Sequence, residues 1–344
     1  MAVQLHLSNH ARSLLEQRSS ILQKHFGAAI DADVHLSDPE QLPAALAERV
    51  QSAPDYFHGR PIGLAQLLGE LDLAGVHGAL CWQNPSATEY GDDPVENHRR
   101  LLDANRYVAF AADEEPERIL PAGWTDPKAL GVEGAVALVD ALVSELGFPI
   151  VKLNPAQNAF PIDGHDSLTV VRRILAWGAV PAFHYGADTP YTPASGLEAV
   201  AELCDPQPVI AVHMGGGGAS YTAAEELYHE TRALGLRRKN IHFILSSRRD
   251  SHTVSDLIAF QEAGNPSCAN LSWGSDAPYG SIPWNFGGIE ALLRAMRHRN
   301  FPDPRIQDNP ALFDDEAVRD YLGGNIARLY GEACSSVLAT ATYR

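Results

Sequence analysis

Eight short apolar runs, each closing on a polar or turn-forming residue, limit the folding choices of this chain more than any other feature. They occupy residues 28–36, 76–82, 119–124, 149–153, 180–184, 208–214, 241–246 and 271–275. Helix-length amphipathic stretches lie between them, among them 134–146, 167–177, 197–204, 223–234 and 253–263. Continuously apolar strands alternating with helices are the pattern of a parallel sheet covered by helices on its faces. From the fourth run onward the polar ends fall at Lys152, His184, His213, Ser246 and Asp276, at intervals of 32, 29, 33 and 30 residues. A strand–helix–strand unit takes about 30 residues, so this rhythm predicts an α/β fold of the (β/α)8 TIM-barrel type. An open doubly wound sheet shares the alternation but calls for a glycine-rich turn after its first strand. Here that turn reads His35, Leu36, Ser37, Asp38, Pro39, with no glycine.

The rest of the chain fits around that barrel. Its 344 residues, 45% of them hydrophobic, contain no charge block, Gly/Ser linker or low-complexity run. The expectation is a single domain over 1–344 with a barrel core at about 28–331. A helix at 8–25 precedes the barrel, and an excursion at 37–75 reads as two helices and a loop over the mouth. A closing helix over 309–332 follows it. The net charge of −17, from 26 basic and 43 acidic residues, repels phosphate backbones and anionic lipid, which argues against nucleic-acid and membrane partners. The four cysteines are far apart, against a disulfide framework. No apolar run approaches the roughly 18–20 residues that cross a bilayer, and residues 1–26 have no signal-peptide pattern. These features suggest a soluble, cytoplasmic enzyme; a homo-oligomer is compatible with all of them.

Candidate chemistry gathers at the strand ends. Asp31, Asp33 and His35 alternate along the first strand and so share one face, which in a barrel is the interior. His184 and His213 each end a buried apolar strand, where an imidazole without partners pays for its desolvation. Asp276 ends the eighth strand, although a carboxylate there could also cap the next helix. Asp33, His35, His184, His213 and Asp276 would converge above the barrel axis, a set suited to a first-row divalent metal with one position open to water.

These stretches resemble the amidohydrolase-2 branch of the amidohydrolase superfamily. The resemblance runs over about 28–331 through Asp31–His35, Val151-Lys152-Leu153, Phe183-His184-Tyr185-Gly186 and Val212-His213-Met214-Gly215-Gly216. It continues through Gly274-Ser275-Asp276-Ala277-Pro278 and the run from Gly323 to Gly331. It implies that Asp33, His35, His184 and Asp276 bind one divalent metal, zinc first, with manganese or iron as alternatives. It also implies that His213 assists substrate or water and that Asp276 shuttles protons. One departure stands out: the family's usual His-x-His pair is Asp33-x-His35 here. The oxygen donor hardens the site toward manganese or iron, and family members that decarboxylate without oxidation often carry a carboxylate at this position. Some lactonases of the family do without the metal. Lys152 matches either a carbamylated bridge between two metals or, more commonly in this branch, a positive group beside the site.

Trp82, Tyr185 and Arg248, with Lys152, are the expected substrate-binding residues around the mouth, and suit a small, planar or carboxylated molecule. The main expectation is a metal-dependent hydrolase acting on an amide, lactone or related carbonyl bond, with Asp276 and His213 catalytic. The alternative is a metal-dependent non-oxidative decarboxylase. A non-catalytic barrel is the third class, and the intact Asp276 and His213 argue against it.

Overall fold

A computed structural model describes residues 5–24, 27–53, 57–186, 190–216, 225–246, 250–265, 268–298, 300, 303–308 and 313–341. The strands are β1 Ile30–Leu36, β2 Gly78–Gln83, β3 Ile119–Pro121, β4 Gly123–Trp124 and β5 Ile150–Leu153. They continue as β6 Val180–His184, β7 Val209–Val212, β8 Ile241–Leu245 and β9 Leu271–Trp273. All pair in parallel and in chain order, β1 to β3 in one sheet and β4 to β9 in the other. β3 and β4 are two halves of the third barrel strand, interrupted at Ala122, whose N–H still reaches the Cys81 carbonyl at 2.9 Å. A parallel bridge between Val34 and Ala277 lays the chain after β9 against β1. The His35 N–H donates to the Ala277 carbonyl at 2.7 Å across the same seam.

Helices follow the strands as the sequence pattern predicts. α1 (Asn9–Lys24) precedes β1, and α2 (Ala44–Ser52) and α3 (Leu64–Ala74) form the excursion. α4 (Pro94–Glu114) and α5 (Pro127–Ser144) each start with proline at the first turn behind an aspartate cap. Asp93 accepts from the Val95 N–H, and Asp126 from the Lys128 and Ala129 N–H groups, satisfying donors the helix itself leaves unpaired. α6 (Pro155–Asn158), α7 (His165–Ala176), α8 (Ala194–Cys204), α9 (Glu225–Arg237) and α10 (Asp250–Glu262) complete the alternation with the strands. α11 (Ile282–Arg297) and α12 (Pro304–Asp308) come next. α13 (Asp315–Arg319) passes through a π-helical turn, Asp320–Gly324, into α14 (Asn325–Thr340). The closing helical segment therefore reaches Thr340, eight residues beyond the apolar pattern that ends at 332. Every residue of β1, β2 and β5 is buried, the condition that makes a strand read as continuously apolar.

Candidate metal centre and active site

The inward residues of β1 set the site. Asp31 is fully buried, and its Oδ1 accepts from the Asp33 N–H at 3.1 Å and the Ser275 N–H at 2.9 Å. One carboxylate oxygen thus holds the first strand and the loop after the last strand together, next to the two aspartates that face the mouth. Burial pushes the Asp31 carboxyl up to about 7 against the opposing hydrogen bonds from Ser275. Gly274 has to be glycine here: a Cβ would meet Asp33 Cβ and Ile244 Cγ2, each at 2.9 Å.

Asp33, His213 and Asp276 each offer a ligand atom, and these atoms lie within 4.8 Å of one another. His35 borders the group, with Nε2 3.6 Å from Asp33 Oδ1 and 3.7 Å from Asp276 Oδ1. Its Nδ1 lies 3.0 Å from the Gln83 carbonyl oxygen, which can only accept, so Nδ1 carries the proton and Nε2 presents its lone pair to the carboxylates. An imidazole held on one side by a backbone carbonyl and open on the other is the orientation that metal-binding histidines use. Burial, with the Lys152 charge, pushes His35 down to about 3, which keeps it in the neutral form a ligand needs. The donors fit a divalent cation. His213 therefore joins the group able to hold one, beyond the assisting role the resemblance gives it. The His184 ring stands edge-on to His213 with centroids 4.6 Å apart, and burial, with the His213 ring beside it, holds it well below its usual range.

A hydrogen-bonded chain links Asp33 to His213 through a residue the strand rhythm marked but gave no role. Ser246, just past β8, donates to Asp33 Oδ2 at 2.6 Å. His213 Nδ1 lies 2.9 Å from Ser246 Oγ and 3.3 Å from its carbonyl oxygen, so Nδ1 is the donor and Nε2 is left for other partners. Lys152 on β5 is fully buried, with Nζ 3.3 Å from Asp33 Oδ1 and 4.7 and 5.1 Å above the rings of Trp82 and Trp124. Burial works against ionisation of Asp33, but the Lys152 ammonium, with the neighbouring His35 and His213 rings and the Ser246 hydrogen bond, outweighs it and holds the carboxyl well below its usual range. Burial lowers the Lys152 ammonium, with Asp33 and Asp276 opposing.

The backbone turns sharply at this end of the barrel. His213, Met214 and Asp276 have left-handed φ of 73°, 49° and 61°, a region costly for residues with a Cβ and found disproportionately at functional sites. The Asp276 side chain is 12% exposed, enough to reach the mouth.

The other expected substrate contacts lie apart from one another. Trp82 lines the wall beneath Lys152, fully buried. Tyr185 is buried with its hydroxyl 3.2 Å from Thr231 Oγ1 on α9, so it points to the helix layer; this follows from the two-residue period that turns His184 inward. Arg248 lies outside the described residues. A residue that sequence reading missed stands at the mouth: the Tyr279 ring packs edge-on against His35, centroids 5.8 Å apart, and its hydroxyl donates to Asn84 Oδ1 at 2.8 Å.

The sequence profile described as amidohydrolase matches residues 30–331. No curated protein matches. Among solved structures, the chain resembles 2,6-dihydroxybenzoate decarboxylase from Rhizobium at 15% identity, with 88% of this chain and 98% of that one covered and a TM-score of 0.60. It resembles a dihydroxybenzoic acid decarboxylase from Polaromonas sp. JS666, with bound manganese and 2-nitroresorcinol, at 14% identity, 88% and 96% coverage and a TM-score of 0.57. It also resembles a probable 2-pyrone-4,6-dicarboxylic acid hydrolase from Acinetobacter baumannii at 17% identity, 88% and 99% coverage and a TM-score of 0.55. At these identities the likeness establishes the fold.

Proposed function

The chain belongs to the amidohydrolase family, and from that premise we propose that it is a metal-dependent, non-oxidative decarboxylase of a small, conjugated carboxylic acid. The observation that carries this reading is the first-strand carboxylate: Asp33 stands where the family's pattern has histidine, and it lies with Asp276 and His213 in one cluster. The cation would be held by Asp33, His35, His213 and Asp276, with His184 beside them, and the two carboxylates harden this mixed set enough for manganese or iron to compete with zinc. The ionised Asp33 offsets part of a divalent charge, so when bound the ion would serve chiefly to anchor an oxygen-bearing substrate rather than to acidify water. The decarboxylases among the similar structures, one of them holding manganese, support the same choice.

The residues of this chain divide the work. Asp276, at the mouth, enters the cycle protonated and gives its proton to the substrate carbon that bears the carboxylate. The carbon–carbon bond then breaks, carbon dioxide leaves, and the bonding pair restores the conjugated system. Asp276, left ionised, takes its next proton from solvent. His213, fixed by Ser246, would present the Nε2 lone pair to the cation, and Lys152 keeps Asp33 ionised through the cycle. Trp82 and Trp124 back the site from beneath, their ring faces holding the Lys152 ammonium in place.

Incubation with 2,6-dihydroxybenzoate and related hydroxybenzoates in deuterium oxide tests the proposal. The expected result is carbon dioxide with one deuterium on the product carbon. A hydrolytic reading draws support from the similar Acinetobacter baumannii protein, named as a probable hydrolase; there Asp276 would act as base toward water. Oxygen from labelled water in the product, with no carbon dioxide, would replace the decarboxylase reading with that one.

A further inference from the structure

Two rings and one carbonyl bear on the His35 imidazole, and they come from three different strand ends. The Gln83 carbonyl, at the end of β2, accepts the Nδ1 proton at 3.0 Å. Trp124 on β4 packs edge-on with centroids 5.9 Å apart and an interplanar angle of 67°. Tyr279, in the turn after β9, does the same at 5.8 Å and 77°. The backbone of His35 is tied to that same turn through the Ala277 carbonyl. The torsion that rotates an imidazole about its Cβ–Cγ bond is soft, so one hydrogen bond leaves the ring free to tilt. Edge-on neighbours remove that freedom.

Trp124 belongs to the buried wall, whereas Tyr279 is put in place by loops at the mouth. Its hydroxyl donates to Asn84 Oδ1 at 2.8 Å. Having spent its one proton there, it accepts from the Ser86 hydroxyl. Asn84 is itself fixed, because Oδ1 also accepts from the Ser86 N–H at 2.9 Å. The excursion after β1 closes on the same ring. The Gly59 N–H donates to the Pro278 carbonyl at 3.3 Å, and the His58 ring stands edge-on to Tyr279 at 5.6 Å. Gly59 has a left-handed φ of 75°, and a Cβ there would meet Tyr279 Cε1 at 2.9 Å, so glycine lets this loop reach the ring. Two consecutive residues after β2 thus grip both rings: Gln83 holds His35 by its backbone, and Asn84 holds Tyr279 by its side chain.

We propose that Tyr279 is a positioning residue for the metal centre, setting the tilt of the His35 ring and so the direction of its Nε2 lone pair. A ring free to tilt would leave the Gln83 carbonyl and populate both tautomers, and only the one with Nε2 unprotonated can present that atom to a cation. Groups that orient a metal-binding histidine commonly change metal affinity by about 10–100-fold. The proposal rests on the reading of His35 as a ligand, and the experiment separates the two.

Nitrogen-15 NMR of the histidine-labelled, metal-free chain near neutral pH reads the tautomer, with the His35 signals assigned by their loss in His35→Gln. Calorimetry with manganese and zinc reads affinity, and urea unfolding reads stability. The unaltered chain should carry the His35 proton on Nδ1. Tyr279→Leu should bring the other tautomer to a comparable population and weaken manganese binding about tenfold. Tyr279→Phe keeps the ring and loses its tethers, so it should shift both readouts in the same direction by less. A Tyr279→Leu chain with an unchanged tautomer ratio, or with unchanged manganese affinity, would overturn the proposal, whatever its urea midpoint. Should Tyr279→Leu fail to unfold cooperatively, Tyr279→Phe decides, and an unshifted ratio overturns the proposal. Failure of both metals to bind the unaltered chain would strike the ligand reading, leaving the tautomer ratios to decide whether Tyr279 positions the ring.

Discussion

β8 runs the length of the barrel interior, and the polar residues on its inward face meet opposite surroundings at the two ends. At the floor, His242 is buried with Nε2 2.8 Å from Ser272 Oγ, and burial, followed by the Arg328 charge, pushes its imidazole down to about 3. At the mouth, four residues on, Ser246 ties Asp33 to His213 within a group of carboxylates, imidazoles and an ammonium. The floor keeps its polar pair neutral; the mouth confines charge. Buried charge is weak support for stability, and a group pre-arranged for chemistry commonly destabilises the fold that holds it. The mouth should therefore govern activity and the floor stability.

The sharpest way to break this contrast is Asp276→Asn. Loss of the proposed proton donor should lower kcat about 10²–10⁴-fold, while the urea midpoint stays close to that of the unaltered chain. His242→Gln should leave kcat within about twofold; comparable losses from both variants would erase the distinction between the two ends.

Lys152→Met comes next. It removes one partner of a buried pair, leaving Asp33 without its nearest cation, a change that costs about 3–5 kcal/mol in comparable cases. Urea unfolding of metal-stripped protein measures it, and added manganese should recover part of the loss. Replacing both partners, Asp33→Leu with Lys152→Met, should restore most of the stability and none of the activity. A single-variant cost below about 1 kcal/mol would mean that the pair is not confined as described.

Ser246→Ala should have a smaller effect, lowering kcat about tenfold by releasing the His213 tautomer, with about 1 kcal/mol of stability lost along with the hydrogen bonds. Ser246→Thr keeps the hydroxyl and should restore kcat; if it does not, Ser246 acts through packing alone.

The smallest effect is read from pH. His242 has a folded-state pKa of about 3 against an ordinary 6.5, so the folded form binds fewer protons in that window than the unfolded one. Its contribution is fully present above about pH 6.5 and is lost as pH falls toward 3, with a slope of at most about 1.4 kcal/mol per pH unit. His242→Gln should flatten the stability curve over that range, while His35 and His184, also depressed, keep part of the slope. A curve unchanged by the substitution would show that the floor histidine is not held neutral.

The strand positions were legible because eight buried strands leave eight continuous apolar runs, and the 30-residue rhythm survives whatever the loops contain. The same logic brought Asp33, His35, His213 and Asp276 to one end of one face. Less was legible where the backbone makes the contact: the Gln83 carbonyl that orients His35 leaves no mark on residue type. The break at Ala122 is hidden for the same reason, since 119–124 is apolar throughout. Ser246 shows a different limit, because its place in the rhythm was visible while its two partners came from strands far away in sequence. Tyr185 is the opposite case: the alternation that turns its neighbour His184 inward already placed it outward.

The left-handed turns at His213, Met214 and Asp276 bear on how such a chain changes over generations. Each holds a side chain in a backbone state that glycine or asparagine adopts at lower cost, so any lineage released from the need for the reaction gains stability by giving these positions up. Inheritance of histidine and aspartate there would then track use of the site. Among descendants that had lost the activity, glycine or asparagine should arise at 213 and 276 before the barrel's apolar strands began to erode.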